Sequence, residues 1–245
     1  MTVSFTQTYE KPGRERERIE LLKAYFLDRK LHEFKNHFDL NIYSFHNCPQ
    51  TTINIFRKYN RVKNTEIMVF RDINYPSIVA ELKSYLKKIG AKTFFFSQDD
   101  TFSDDNKDLD TKELYEYVKN QSSNFMLNLA KKPDHIDNRL ISDEVKKSFK
   151  IYHIDSQKHG EATGWPMSDE PYICSADMLD LIYDKLYIKE KNIWDAEWYL
   201  QKKFSKVTIP RWITDRVLFR NYNLFGVTIK NKDIDRKSLE IKGFL

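Results

Sequence analysis

Residues 66–100 read EIMVFRDINYPSIVAELKSYLKKIGAKTFFFSQDD, and this stretch decides the fold class. Glu66 to Phe70 is a short apolar run that ends in Arg71-Asp72-Ile73-Asn74. From Tyr75 to Ile89 the apolar residues Ile78, Val79, Leu82, Leu86 and Ile89 recur on one helical face, and Gly90 stands at the C-terminal cap. Thr93-Phe94-Phe95-Phe96 is a continuous apolar strand that stops abruptly at Ser97-Gln98-Asp99-Asp100. Working outward, Leu40 to Phe45 reads as an earlier strand breaking at His46-Asn47-Cys48-Pro49, and Thr51 to Tyr59 resumes helical spacing. Strand, helix, strand, helix, strand with near-continuous apolar strands predicts a parallel α/β sheet. Ligands of such sheets sit beyond the carboxyl ends of the strands. All three of these exits are polar: His46-Asn47, Arg71-Asp72 and Gln98-Asp99-Asp100.

Upstream, Arg14 to Phe34 has the spacing of an amphipathic helix behind the Pro12-Gly13 break, and the polar start MTVSFTQTYE has no signal-peptide centre. Downstream, helices are expected over Lys112–Leu129, Asp143–Phe149, Met178–Leu186 and Trp194–Phe204. Lys150–Ile154 reads as a strand, Pro133–Asn138 as a loop, and Phe225–Ile229 alternates weakly. We expect one domain over 1–245, with functional halves at 1–105 and 106–245.

The 245 residues include 17 Phe, 14 Tyr and 4 Trp, an aromatic content that excludes disorder for most of the chain. A net charge of +5, from 41 basic and 36 acidic residues, is a solubility-level imbalance. It lacks the sharp basic stripe of a dedicated DNA-binding protein. Two cysteines, Cys48 and Cys174, are too few for a disulfide framework and read as reduced thiols. With no apolar run long enough to span a bilayer, a cytoplasmic location is expected.

Asp99-Asp100 carries the most chemistry. Adjacent carboxylates at the end of a buried Phe-rich strand repel each other unless a cation or donors satisfy them. Mg²⁺ or Mn²⁺ takes such oxygens and bridges them to phosphates, which gives a metal–diphosphate site. The alternative is a polar loop in which an Asp caps the next turn.

Phe94-Phe95-Phe96-Ser97-Gln98-Asp99-Asp100-Thr101 resembles the metal-binding acidic motif of GT-A-fold glycosyltransferases, although that motif usually reads Asp-x-Asp and here the acids are adjacent. The chain is also reminiscent of small glycosyltransferases of large DNA viruses. The resemblance implies a Rossmann-like, mostly parallel sheet flanked by helices, with an acceptor-binding C-terminal half. It implies a nucleoside-diphosphate sugar donor, a saccharide acceptor, and Mn²⁺ or Mg²⁺ held by Asp99 and Asp100.

Ser44, His46, Asp72, Gln98 and Asp99 would then border the nucleotide, with Asp72 on base or ribose or simply stabilising a turn. Trp165, Asp169 and Glu170 resemble an acceptor loop, suited to sugars that offer hydroxyls to carboxylates and apolar faces to aromatics. Asn192 to Leu200 looks like the helix start where inverting members keep a general base, and Glu197 or Asp195 would fill that role. The two point about 200° apart on a helix, so one faces the cleft; acids favouring the helix dipole are the alternative, and Asp169 or Glu170 the rival base. Arg211, Arg216 and Arg220 include a candidate diphosphate contact, taken as Arg216, or form a solvated face. His153 and His159 are metal ligands or structural residues.

A metal-dependent glycosyltransferase, inverting, is the first reading. A sugar nucleotidyltransferase is the second, opposed by the absence of a Gly-rich phosphate loop in a chain of six glycines. A non-enzymatic module binding single-stranded nucleic acid is the third; acids at the strand exits oppose it, so no nucleic-acid partner is expected.

Overall fold

The computed structural model describes residues 1–9, 15–71, 75–104, 107–122, 124–130, 140–154, 171–184 and 210–222, with residues 199, 237 and 240. It is an α/β structure built on a nine-stranded sheet flanked by helices. The first element is a strand, β1 (Thr2–Tyr9), buried along almost its whole length. Its chain continues through α1 (Glu15–Tyr25) and α2 (Arg29–Lys35) into β2 (Leu40–His46). Next come α3 (Gln50–Tyr59), β3 (Thr65–Phe70), α4 (Tyr75–Lys88) and β4 (Thr93–Gln98).

The sheet order starts β3-β2-β1-β4, all parallel, so the chain steps outward from β1 and then returns across it to β4. The direction of winding therefore reverses at β1. The two faces are covered separately. Ile53 and Phe56 of α3, with Leu21 and Tyr25 of α1 and Phe34 of α2, pack with Tyr43, Phe45 and Phe95 on one face. Val79, Leu82 and Leu86 of α4 pack with Val3, Phe5, Ile42, Phe94 and Phe96 on the other. The Phe triplet thus serves both cores, Phe95 facing one way and its neighbours the other. Gly90 ends α4 with φ +66°, the left-handed conformation a helix C-terminus favours, and Ala91 N–H closes back on the Leu86 carbonyl at 3.0 Å.

The rest of the chain extends the same sheet. It contains β5 (Thr101–Ser103), α5 (Thr111–Lys119), β6 (Met126–Asn128), β7 (Leu140–Val145), β8 (Lys150–Ile154), β9 (Tyr172–Ser175), α6 (Met178–Ile182), β10 (Arg211–Thr214) and β11 (Phe219–Asn221). Beyond β4 the order runs β9-β6-β10-β8-β7, with antiparallel pairing at every contact except β6–β10. Seven of these nine strands point the same way and β9 and β8 oppose them, so the sheet is mostly parallel. β5 and β11 form a separate antiparallel ribbon.

Three sequence expectations are corrected, and one strand went unread: the polar start is β1, third in the nine-strand order. The helix expected over Arg14–Phe34 is two helices, because Asp28 leaves helical geometry and its side chain caps α2 by accepting from Leu31 N–H at 3.0 Å. The helix expected over Lys112–Leu129 stops at Lys119, and its far end is β6. Asp143–Phe149 is a strand end and turn: β7 pairs with β8, and Lys146 N–H closes the hairpin on the Phe149 carbonyl at 2.9 Å. There the ladder overrides the helical propensity of Glu and Lys. The Trp194–Phe204 helix, apart from Tyr199, and the Pro133–Asn138 and Phe225–Ile229 segments lie outside the described residues. Cys48 and Cys174 are buried and form no disulfide. No described helix is long and apolar enough to cross a membrane.

Candidate functional site

The crevice is set by topology. β1 pairs with β2 on one side and β4 on the other: the chain leaves the carboxyl end of β1 toward β2, and after β3 it crosses back to set β4 on the other side of β1. A doubly wound sheet binds ligands at such a switch point.

Register defines what lines it. On the α4 face, Ile42, Phe5 and Phe96 form the last apolar row across β2, β1 and β4. One step further, Ser44, Gln7 and Gln98 lie side by side, and beyond them come Phe70, His46 and Tyr9. The face changes from apolar to polar within one residue pair, at the strand ends.

Gln7 is buried, and its Oε1 has no hydrogen-bond partner. Leaving such an acceptor unmade costs roughly 1–3 kcal/mol, so this carbonyl is suited to an incoming donor. His46 contacts Ser44 Oγ through Nε2 at 2.5 Å, and its ring lies 4.7 Å from Tyr9 and 5.6 Å from Phe70. Burial pushes its pKa down to about 4, so the imidazole is neutral at physiological pH. Below the polar row, Gln7 shares a small cavity with Ile78, Val79, Leu82 and Tyr183.

The acidic turn sits against the same strand end. Asp99 N–H donates to the Gln7 carbonyl at 3.1 Å, which fastens the start of the turn to β1. Gln98 N–H donates to Thr101 Oγ1 at 2.9 Å, and Thr101 Oγ1 donates to Asn221 Oδ1 at 2.6 Å. Tyr222 N–H donates to the Asp100 carbonyl at 2.8 Å. The β5–β11 ribbon therefore holds the turn from its far side. Arg220, on that ribbon, pairs with Asp104 at 3.0 Å and lies over the Tyr222 ring at 4.2 Å.

Five sequence-predicted residues come together here: Ser44, His46, Gln98, Asp99 and Asp100. Arg216 is placed elsewhere, between β10 and β11, where Nη2 donates to the Ser148 carbonyl at 2.8 Å. Arg220 is the arginine on the ribbon beside the acidic turn. His153 is bound to Glu144 at 2.9 Å near the sheet's other edge. Asp72, His159, Trp165, Asp169, Glu170, Asp195 and Glu197 lie outside the described residues. Sequence reasoning missed Gln7 and Tyr9; the period-two alternation of Val3, Phe5, Gln7 and Tyr9 is the signal that would have found them.

Asp99 and Asp100 offer two carboxylates, and among the described residues no cluster of three or more His, Cys, Asp or Glu side chains gathers at a point. That donor set fits an octahedral ion that takes its other ligands from water and phosphate. It does not fit an all-protein metal cage.

Among the solved structures that this chain resembles, several match over nearly the full length of both chains. A UDP-glucose pyrophosphorylase complexed with UDP-glucose matches with a TM-score of 0.51 at 8% identity, over 99% of both chains. HddC from Yersinia pseudotuberculosis gives 0.52 at 15% identity, again over 99% of both. The chain has the nucleotide-diphospho-sugar transferase fold. A further match within this fold, 4-diphosphocytidyl-2C-methyl-D-erythritol synthase from Anaerococcus prevotii DSM 20548, scores 0.50 at 12% identity over 98% of both chains. No family model matches the sequence, and no curated protein matches it. At these identities the likeness concerns the backbone arrangement, and the site rests on this chain's own residues.

Proposed function

We propose that this chain is a nucleotide-sugar-dependent glycosyltransferase whose donor occupies the crevice between β1 and β4. The observation that carries the reading is the Asp99-Asp100 turn at the switch point, fastened to β1 through Gln7 and to the ribbon through Tyr222. Gln7, Ser44, His46 and Gln98 offer neutral amide, hydroxyl and imidazole groups, which suit a nucleoside's hydrogen-bonding edge and hydroxyls. Asp99 and Asp100 would hold Mn²⁺ or Mg²⁺, which when bound offsets charge on the leaving diphosphate.

The acceptor side of the proposal comes from sequence alone. Trp165, Asp169 and Glu170 hold a saccharide, and Asp72 completes the donor contacts; Arg216, held at the Ser148 carbonyl, is not among them. Glu197 or Asp195 takes the proton of the acceptor hydroxyl. The hydroxyl oxygen forms the new bond to the anomeric carbon, the bond to the diphosphate oxygen breaks, and the nucleoside diphosphate leaves.

A second reading, sugar nucleotidyl transfer, uses the same crevice. The names of the matched structures, a pyrophosphorylase and a diphosphocytidyl-methylerythritol synthase, favour it over glycosyl transfer. The segment after β1 opposes it: Glu10-Lys11-Pro12-Gly13-Arg14 carries one glycine where a phosphate-cradling loop needs several.

The test has two stages. Nucleoside diphosphates with Mn²⁺ should raise the melting temperature by mass action, and Asp100→Ala should remove the shift. Loss of the shift in chelator is expected too. No shift with any nucleotide sinks both enzyme readings and brings forward salt-dependent oligonucleotide binding. Products then separate the two chemistries. Nucleoside diphosphate released from a nucleotide sugar supports glycosyl transfer, and pyrophosphate released from a nucleoside triphosphate and a sugar phosphate supports nucleotidyl transfer.

A further inference from the structure

Helix α2 and its cap carry three buried ionisable side chains that the site does not use, Asp28, His32 and Lys35, and the first and last of them reach neighbouring strands. Lys35, in its last turn, is fully buried. Its Nζ lies against three hydroxyls: Tyr25 Oη at 2.6 Å, Ser97 Oγ at 3.0 Å, and Thr6 Oγ1. The rings of Tyr43, Tyr25 and Phe95 surround it, with centroids 5.0, 5.2 and 5.8 Å away. Asp28, at the helix start, is equally inaccessible. One of its oxygens caps α2, and the other accepts Ser103 N–H at 2.5 Å.

These partners are not scattered. Thr6 and Ser97 are register partners on β1 and β4, their hydroxyls 3.0 Å apart, one residue before the Gln7–Gln98 row and two before Asp99. Ser103 is on β5, three residues after Asp100. Lys35 therefore grips the strand that enters the acidic turn, and Asp28 grips the strand that leaves it. A single seven-residue helix spans the two grips.

Such an arrangement is costly for stability alone. Withdrawing an ammonium or carboxylate from water is costly, and an apolar side chain of similar volume commonly does as well or better in such a position. Burial accordingly holds the Lys35 amine well below the usual lysine range, with the charge of Asp28 opposing the shift, and raises Asp28. A methionine would fill the space. What it could not do is fix Thr6 and Ser97 in register or hold the Ser103 amide.

We propose that α2 is a positioning element for the acidic turn, with Lys35 and Asp28 as its positioning residues on the incoming and outgoing strands. Neither touches the ligand; both set where the two carboxylates stand. The functional half of this inference rests on Asp99-Asp100 being the metal–diphosphate site.

Two variants separate positioning from folding. Lys35→Met keeps the volume and removes the grip on β4. Asp28→Asn keeps a good helix cap and removes only the acceptor for Ser103 N–H. The readouts are amide hydrogen exchange across residues 98–104 and Mn²⁺-dependent binding of a nucleoside diphosphate. We expect exchange in this segment to rise about tenfold or more in each variant, with α4 and β2 unchanged, and affinity to fall roughly tenfold, a loss of about 1.4 kcal/mol. The melting temperature of Lys35→Met should hold or rise. Unchanged exchange at 98–104 in the folded variants overturns the proposal, as does unchanged affinity where the parent protein binds. If the parent binds no nucleoside diphosphate, the transferase reading fails, and exchange alone decides the positioning role. If Lys35→Met does not fold, Asp28→Asn decides it.

Discussion

The two ends of the sheet treat polar groups in opposite ways. In the β3-β2-β1-β4 half, polar side chains lie inside: Ser44, Gln7, His46, Thr6, Ser97 and Lys35 are all buried within or against parallel strands. In the β10-β8-β7 half they lie outside and in pairs. Glu144 receives Lys146 at 3.0 Å and His153 at 2.9 Å, Asp143 pairs with Lys150, and all remain partly exposed. Solvated pairs at a sheet edge help keep other strands from adding to it and contribute little stability. Interior polar groups at strand ends carry a real energetic cost, and they gather where a ligand can use them. The contrast sets the proposed crevice apart from the far edge without reference to any relative.

The sharpest way to break this contrast is acid. His46 and His32 are buried; desolvation lowers His46 to about 4, and desolvation with the nearby Lys35 lowers His32 to about 3. Below about pH 6.5 the unfolded chain takes up protons that the folded one refuses, so the folded state loses stability as pH falls. Each histidine should remove about 1.4 kcal/mol per pH unit below that point, down to its own folded value. Urea unfolding at pH 7, 6 and 5 checks this. His46→Gln should remove its share of the slope, and an unchanged slope would refute the buried, neutral imidazole.

A smaller effect is expected at Gln7. Gln7→Leu removes an unsatisfied buried acceptor, so the ligand-free protein should gain about 1 kcal/mol while the nucleotide-induced melting shift disappears. Stability and binding moving the same way would mean that Gln7 is a core residue and nothing more. The smallest effect belongs to the far edge. Glu144→Ala should cost less than about 1 kcal/mol by chemical denaturation and leave nucleotide binding intact. A larger loss there would erase the distinction between the two ends.

Legibility in the sequence follows the same division. β2, β3, α4 and β4 were readable because their apolar residues run continuously or at helical spacing, and Asp99-Asp100 was readable because two acids end such a run. β1 was not. Ser4, Thr6 and Thr8 look like a solvated face, and they are buried because Lys35, Ser97 and neighbouring strands meet them, a tertiary circumstance that no local pattern contains. The split between α1 and α2 was hidden for a related reason: helical periodicity continues through Asp28 although its side chain stops the helix. Gln7 was missed along with its strand. The acceptor residues were legible only through resemblance and rest on that alone.

β1 pairs Thr2 with Thr93 across the seam at which the crevice opens. During synthesis this strand, third in the nine-strand order, emerges long before the partner on its β4 side. Until that partner arrives, one edge of β1 stays open, and closing so long a loop is slow. The seam is an open edge until then, so refolding from denaturant should be more prone to aggregation than unfolding.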